Sequence, residues 1–271
     1  MDELDRSEDQ GSARYVYAVI PRVAREDFGA IGIANARVYT MARRDIAAVV
    51  HDCPPEPYQG DPETVAGWVK IHNDVIDAAW GEAGSVLPMR FDVIIKGDSE
   101  HSAEENTRRW LAAEYSTLKA KLEEFRGKVE LSVQVLWDPA VIARRIMESS
   151  EEIGQLRAEM ATKSRGAAYF IEQKIARAVK AEMEGKAQRD FAACYERLKE
   201  WSEDVHVNKP RKQADRAVMA NFSLLVRRAR AQEIVQLLRH MNDEPGVEVR
   251  VTGPWPPYTF AATVGAVGGG A

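Results

Sequence analysis

Cysteine is scarce. The 271-residue chain has two, Cys53 and Cys194, with no CxxC spacing and no second pair from which a zinc site or a disulfide framework could be built. They read as small buried thiols. Long apolar runs are missing as well: no stretch approaches the roughly 18 uncharged residues that a membrane-spanning helix needs. Basic charge is not in excess either, since 42 acidic residues against 37 basic ones give a formal charge of -5. Neutralising phosphates therefore cannot drive binding, which argues against nucleic acid as a partner. The chain contains no GxGxxG, no GxxxxGK followed by Ser or Thr, no GxSxG and no HExxH, the spacings that cradle phosphates, raise a nucleophile or hold zinc. Its five histidines, His51, His72, His101, His206 and His240, are scattered. Neither a cofactor, a metal nor a catalytic constellation is expected. The opening residues are polar and acidic and lack the basic end and apolar middle of an export signal, so residues 1–14 read as a disordered leader and the protein as cytoplasmic.

The remaining composition, 45% hydrophobic and 29% charged, is enough to bury cores and suits two domains at this length. Tyr15–Ile20 is β-branched and aromatic and stops at Pro21, as a strand does. Residues 37–40 and 46–50 flank a short polar break and predict a hairpin. From Asp61 the apolar positions recur at helical spacing, with Asp61 as cap, Pro62 in the first helical position, His72 on the apolar stripe, and Gly81 and Gly84 at the end. Residues 86–95 read as a strand interrupted or edged at Pro88. A second helix carrying Trp110, Leu111, Tyr115, Leu118 and Leu122 then leads to the alternating strand Val129–Trp137. This order predicts an α+β fold: a ferredoxin-like sandwich with an extra strand over residues 15–138.

Beyond Pro139 the composition shifts to Ala, Glu, Arg and Lys, which predicts long helices. Ile171, Ile175, Val179 and Met183 form one stripe and Phe191, Cys194, Tyr195, Leu198, Trp201 and Val205 another, with a break near Gly185. Residues 208–212 read as a solvated connector. Alternation at 218–226, helical spacing at 234–241 and alternation again at 247–251 predict a closing strand-helix-strand unit. The second domain thus covers 139–262, and the glycine-rich residues 263–271 are a flexible tail.

Two segments invite a functional reading. Arg90 sits in the apolar run Val86–Phe91, so its guanidinium must be paired with a carboxylate, lie at an edge or contact a partner. Gly253–Phe260 combines three prolines with Trp255, Tyr258 and Phe260, a stiff extended segment. Trp255, Pro257, Tyr258 and Phe260 would either close over a domain face as a clasp or anchor another protein. The triplet His51-Asp52-Cys53 is no metal site, because alternation along a strand sends its neighbours in opposite directions.

In the opening strand Tyr15–Pro21, the helix bearing His72-Asn73, the Val86–Phe91 run and Gly253–Phe260, the chain resembles the gas vesicle protein L and F family (GvpL/GvpF) over nearly its whole length. The resemblance implies a role in forming gas vesicles, hollow protein shells that confer buoyancy, as a minor vesicle component or assembly factor with two α/β domains. It implies partners, the hydrophobic major shell protein and other accessory proteins, and a location at the gas vesicle and in the cytoplasm. It carries over no catalytic residue and no cofactor. A ligand-sensing protein with ferredoxin-like domains is the competing reading.

Overall fold

The computed structural model describes residues 13–209, 216–240 and 244–261. Most of the acidic leader, the centre of the 208–212 connector and the glycine-rich tail lie outside the described residues. The chain divides into two compact units. One comprises the described residues up to Glu130 together with those from Trp255 onward, and the other runs from Leu131 to Pro254.

The first unit is built on β1 (Ala13–Pro21), β2 (Asp27–Gly29), β3 (Val38–Arg43), β4 (Ile46–Cys53), β5 (Leu87–Pro88) and β6 (Ile94–Lys96). Their order is β2-β3-β4-β1-β5, with β6 also paired to β1. β1 pairs antiparallel with β4, slipping register between Val16 and Ala18. It is buried on both faces from Ala13 to Ile20, which is why it reads as a continuous apolar run rather than an alternating one. The β3–β4 hairpin turns at Arg44, whose φ of 55° is left-handed, and continues from Arg43 opposite Ile46. The 86–95 run divides into β5 and β6 around Asp92 (φ 70°), a residue type that tolerates that conformation.

Helix α1 (Pro62–Ala83) begins as its sequence dictates: the Asp61 carboxylate accepts from the backbone N–H groups of Glu63 and Thr64, and Pro62 fills the first turn. Gly81 stays inside the helix, and Gly84, at φ 70°, closes it. The second helix divides at Glu114 into α2 (Ala103–Ala113) and α3 (Tyr115–Phe125). A reciprocal capping box between Ser102 and Glu105 starts α2.

From Leu131 to Pro254 the second unit takes in most of β7 (Lys128–Trp137), α4 (Pro139–Ser149), α5 (Glu151–Ala161), α6 (Arg165–Trp201), β8 (Asp204–Val207), β9 (Ala217–Arg227), α7 (Ala231–Arg239) and all but the last residue of β10 (Val247–Trp255). Its sheet has the order β10-β7-β9-β8. Counting core strands along the chain, both sheets carry the order 4-1-3-2 of a ferredoxin-like fold, and β2 is the extra strand of the first. The alternating strand β7, which sequence order sets at the end of the N-terminal sandwich, is the first strand of the second sheet.

Helix α6 runs unbroken through Gly185 for 37 residues, about 55 Å at 1.5 Å per residue. One glycine costs a helix only about 1 kcal/mol, and here the chain reverses earlier, between α5 and α6 at Ser164. Ile175, Val179 and Met183 pack against a core of Trp137, Ile142, Ile146 and Ile153. Further along, Phe191 and Tyr195 lie 5.4 and 6.3 Å from the Phe222 ring of β9. Val205 belongs to β8 rather than to the end of this helical stripe.

Candidate functional site

After β10 the chain returns to the first unit. The Gly253–Pro254 peptide is cis, and Trp255 ends the strand with 44% of its surface exposed. Pro256 and Pro257 are buried, and the single turn α8 (Tyr258–Ala261) packs against β5. A charged anchor holds that turn. Glu130 is only 4% exposed, and its carboxylate accepts from the Thr259 backbone N–H at 2.8 Å and from the Thr259 hydroxyl at 2.6 Å. Two donors converging on one buried carboxylate are the condition under which burying it is tolerated.

The Tyr258 hydroxyl is held well above the usual phenol range, first by burial and then by the carboxylates of Asp77, Glu130 and Asp74, which oppose a further negative charge. Asp77 is itself shifted upward by burial and by Asp74. Tyr258 is therefore a neutral half-buried group at physiological pH, and Phe260 beside it is also half-buried. The segment consists of a buried proline pair, a threonine held by the buried Glu130 carboxylate, and Trp255 with 44% of its surface exposed.

Arg90 stands apart from this arrangement. It lies two residues beyond β5 and is exposed, and among the described residues no hydrogen bond or ion pair joins it to the Trp255–Ala261 segment. Its exposure fits an edge position and leaves its guanidinium accessible.

A second constellation was not legible from spacing. Tyr15, Tyr17, His51 and His72 are all at most 2% exposed, and Tyr58 and Phe91 complete a ring cluster around them. His72 Nε2 lies 3.1 Å from the Met89 carbonyl, which can only accept, so that nitrogen carries the proton and Nδ1 accepts from the Tyr15 hydroxyl at 2.9 Å. The Tyr15 oxygen in turn accepts from the Asp92 N–H at 3.0 Å. The Tyr17 oxygen accepts from the Ile33 N–H at 3.0 Å, against Gly32, where a Cβ would sit 2.9 Å from that oxygen. His51 stacks on Tyr15 with centroids 5.0 Å apart and meets the Tyr58 hydroxyl at 3.0 Å.

Burial pushes both histidines down to about 4, with the Asp52 charge partly opposing it at His51 and the Met89 hydrogen bond at His72. Both are neutral at pH 7 and sealed from solvent. The Tyr15–His72 hydrogen bond ties β1 to α1. On β4, His51 and Cys53 face inward and Asp52 outward. No group of three or more His, Cys, Asp or Glu side chains able to hold a metal occurs among the described residues.

The second unit holds a cavity of about 280 Å³ lined by Trp137, Asp190, Cys194, Arg197, His240 and Glu244, among others. Burial raises the Cys194 thiol to about 11, which leaves it protonated and unreactive. Among the described residues, no helix is long and apolar enough to cross a membrane.

Comparison with known proteins bears on the whole of this architecture. The chain is 27% identical to gas vesicle protein L1 of Halobacterium salinarum over 263 residues, covering 94% of this chain and 92% of that one. It is 28% identical to gas vesicle protein L of a Streptomyces species, covering 92% of each. The crystal structure of the gas vesicle protein GvpF from Anabaena sp. PCC7120 superposes with a TM-score of 0.73 at 18% identity, over 92% of this chain and 98% of that one. GvpF from Microcystis aeruginosa superposes at 0.64 with 20% identity. The model of the family described as gas vesicle synthesis protein GvpL/GvpF matches residues 13–262, and the chain belongs to that family.

Proposed function

We propose that this protein acts in gas vesicle formation as an assembly factor that binds the hydrophobic major shell protein and other accessory proteins and keeps the shell protein soluble until it polymerises. Its sites of action are the gas vesicle and the cytoplasm, and it works without catalysis or cofactor. The observation that carries this reading is the construction of the Trp255–Ala261 segment. Pro256, Pro257 and Glu130 are buried and, with the Thr259–Glu130 hydrogen bonds, fix the backbone, while the adjacent Trp255 is left 44% exposed. A rigid, partly exposed indole is the kind of side chain that anchors a protein interface, because little entropy is lost when it is covered. The same segment thus serves as clasp and as anchor, with Tyr258 and Phe260 supporting it. Arg90, exposed near β5, is available for a carboxylate on the partner.

The test is co-expression with the major shell protein, followed by pull-down and by flotation of vesicles from cells lacking this chain. Binding together with loss of flotation supports the reading, whereas normal vesicles in those cells contradict it. A second reading, ligand sensing, draws on the cavity beside Trp137, where acidic and basic side chains converge on an apolar wall. A thermal-shift screen against metabolites separates the two: a shift that Trp137→Phe abolishes favours sensing.

A further inference from the structure

Helix α6 is covered on one side only. Of its 37 residues, Ile171, Cys194 and Leu198 are buried, and near its start two adjacent aromatics stand in solvent, Tyr169 at 58% exposure and Phe170 at 70%. Their rings meet edge to face with centroids 5.9 Å apart. The surrounding charge runs against that of the chain. Between 165 and 180 the helix carries Arg165, Lys174, Arg177 and Lys180 against the single acid Glu172, in a protein whose formal charge is -5. Arg165, Lys174 and Arg177 are exposed and have no ion-pair partner among the described residues.

Gly166, Phe170, Lys174 and Arg177 follow one another at steps of four, four and three and so share one face, while Ile171 and Ile175 turn inward on the next. A Cβ on Gly166 would meet nothing within 4 Å. Packing within the chain therefore does not require this glycine, and its open notch beside Phe170 lets another backbone come close.

We infer that the Gly166–Arg177 face of α6 is a docking surface for an amphipathic, acid-bearing helix of another gas vesicle protein: an apolar side chain of the partner covers Phe170 and the neighbouring Tyr169, and its carboxylates pair with Lys174 and Arg177. The inference rests on the assembly-factor reading given above and adds a site and a partner chemistry to it. Charge complementarity selects this occupant. A nucleic acid would meet an acidic chain. A bilayer needs a wide apolar face, whereas here two side chains are flanked by Glu172 and Gln173.

The experiment titrates the full chain with the major shell protein and the accessory gas vesicle proteins of the same cell, each purified separately, at low and high salt. The expected result is binding of at least one of them that weakens as salt rises. The same binding should weaken at least tenfold in the double variant Tyr169→Ser, Phe170→Ser and in Lys174→Glu, Arg177→Glu. Gly166→Leu strengthens the helix, so it should remain folded by circular dichroism and still bind weakly because the notch is filled. If the wild type binds a partner and all three variants bind it equally, the assigned surface is wrong while the assembly-factor reading stands. If the wild type binds none of them, that reading itself fails. Loss of self-association, or of binding to phosphatidylglycerol vesicles, in place of partner binding overturns the assigned occupant.

Discussion

Between the first and second core strands of the N-terminal unit lie only the edge strand β2 and a three-residue turn of 3-10 helix. The corresponding connection in the other unit carries α4, α5 and the 37-residue α6. Strand order is the same in both. In the first unit the central strand is closed on both faces, with tyrosine and histidine rings filling the space beside it. In the second, the helices bury one stripe and leave the remainder in water. One topology therefore yields a tightly sealed unit and a unit with long exposed helical surface. The exposed aromatics Tyr169 and Phe170 lie on that helical surface.

The sharpest way to break this contrast is to truncate aromatics in both places. Phe125→Ala in the sealed unit, at 1% exposure, should cost about 3–5 kcal/mol of stability in denaturant unfolding. Phe170→Ala on α6 should change it by less than about 0.5 kcal/mol. Comparable losses would mean that α6 is packed after all.

Acid should also separate the units. His51 and His72 are held down to about 4 in the folded protein by burial, against about 6.5 when unfolded. Above pH 6.5 both states are neutral and stability is unaffected. As pH falls from 6.5 toward 4 the unfolded chain takes up protons that the folded one refuses, so stability drops, on the order of 3 kcal/mol per histidine by pH 4. Tyrosine fluorescence and amide exchange should show the first unit opening before the second, and His72→Gln should remove about half of the pH slope between those limits.

Two smaller effects refine the picture. Thr259→Val removes one of the two donors to Glu130 and should cost about 1–3 kcal/mol, read as a lower Tm together with faster exchange of the residue 259 amide. Gly154→Ala in α5, where a Cβ would meet nothing within 4 Å, should stabilise by about 0.5–1 kcal/mol. A loss there would show that this face of α5 is covered.

Local features of the fold were legible in the sequence because local chemistry determines them. Asp61 and Pro62 mark the start of α1, the polar break at Ala42–Asp45 contains the hairpin turn, and the Ser102/Glu105 spacing is a signal from which the start of α2 could also have been read. Features set by long-range pairing were not. Val129, Leu131, Val133 and Val135 alternate equally well in either sheet, so no local pattern tells that β7 opens the second one. Gly185 resembles a break only when the packing of Met183 and Ala187 around it is unknown.

The candidate site divides in the same way. The proline and aromatic content of 254–260 marked it as special, but its anchor is a glutamate 129 positions away in the chain. The Tyr15–His72 pair joins residues 57 apart, and neither histidine carries a neighbouring motif that would reveal it.

The proposed function has the protein covering the surfaces of other gas vesicle proteins. The direct measurement is the fraction of purified major shell protein that stays in solution after centrifugation as this chain is added. A soluble fraction that rises with added chain and saturates at a fixed ratio is the predicted result. An unchanged soluble fraction at every ratio, with the chain itself folded, would contradict it.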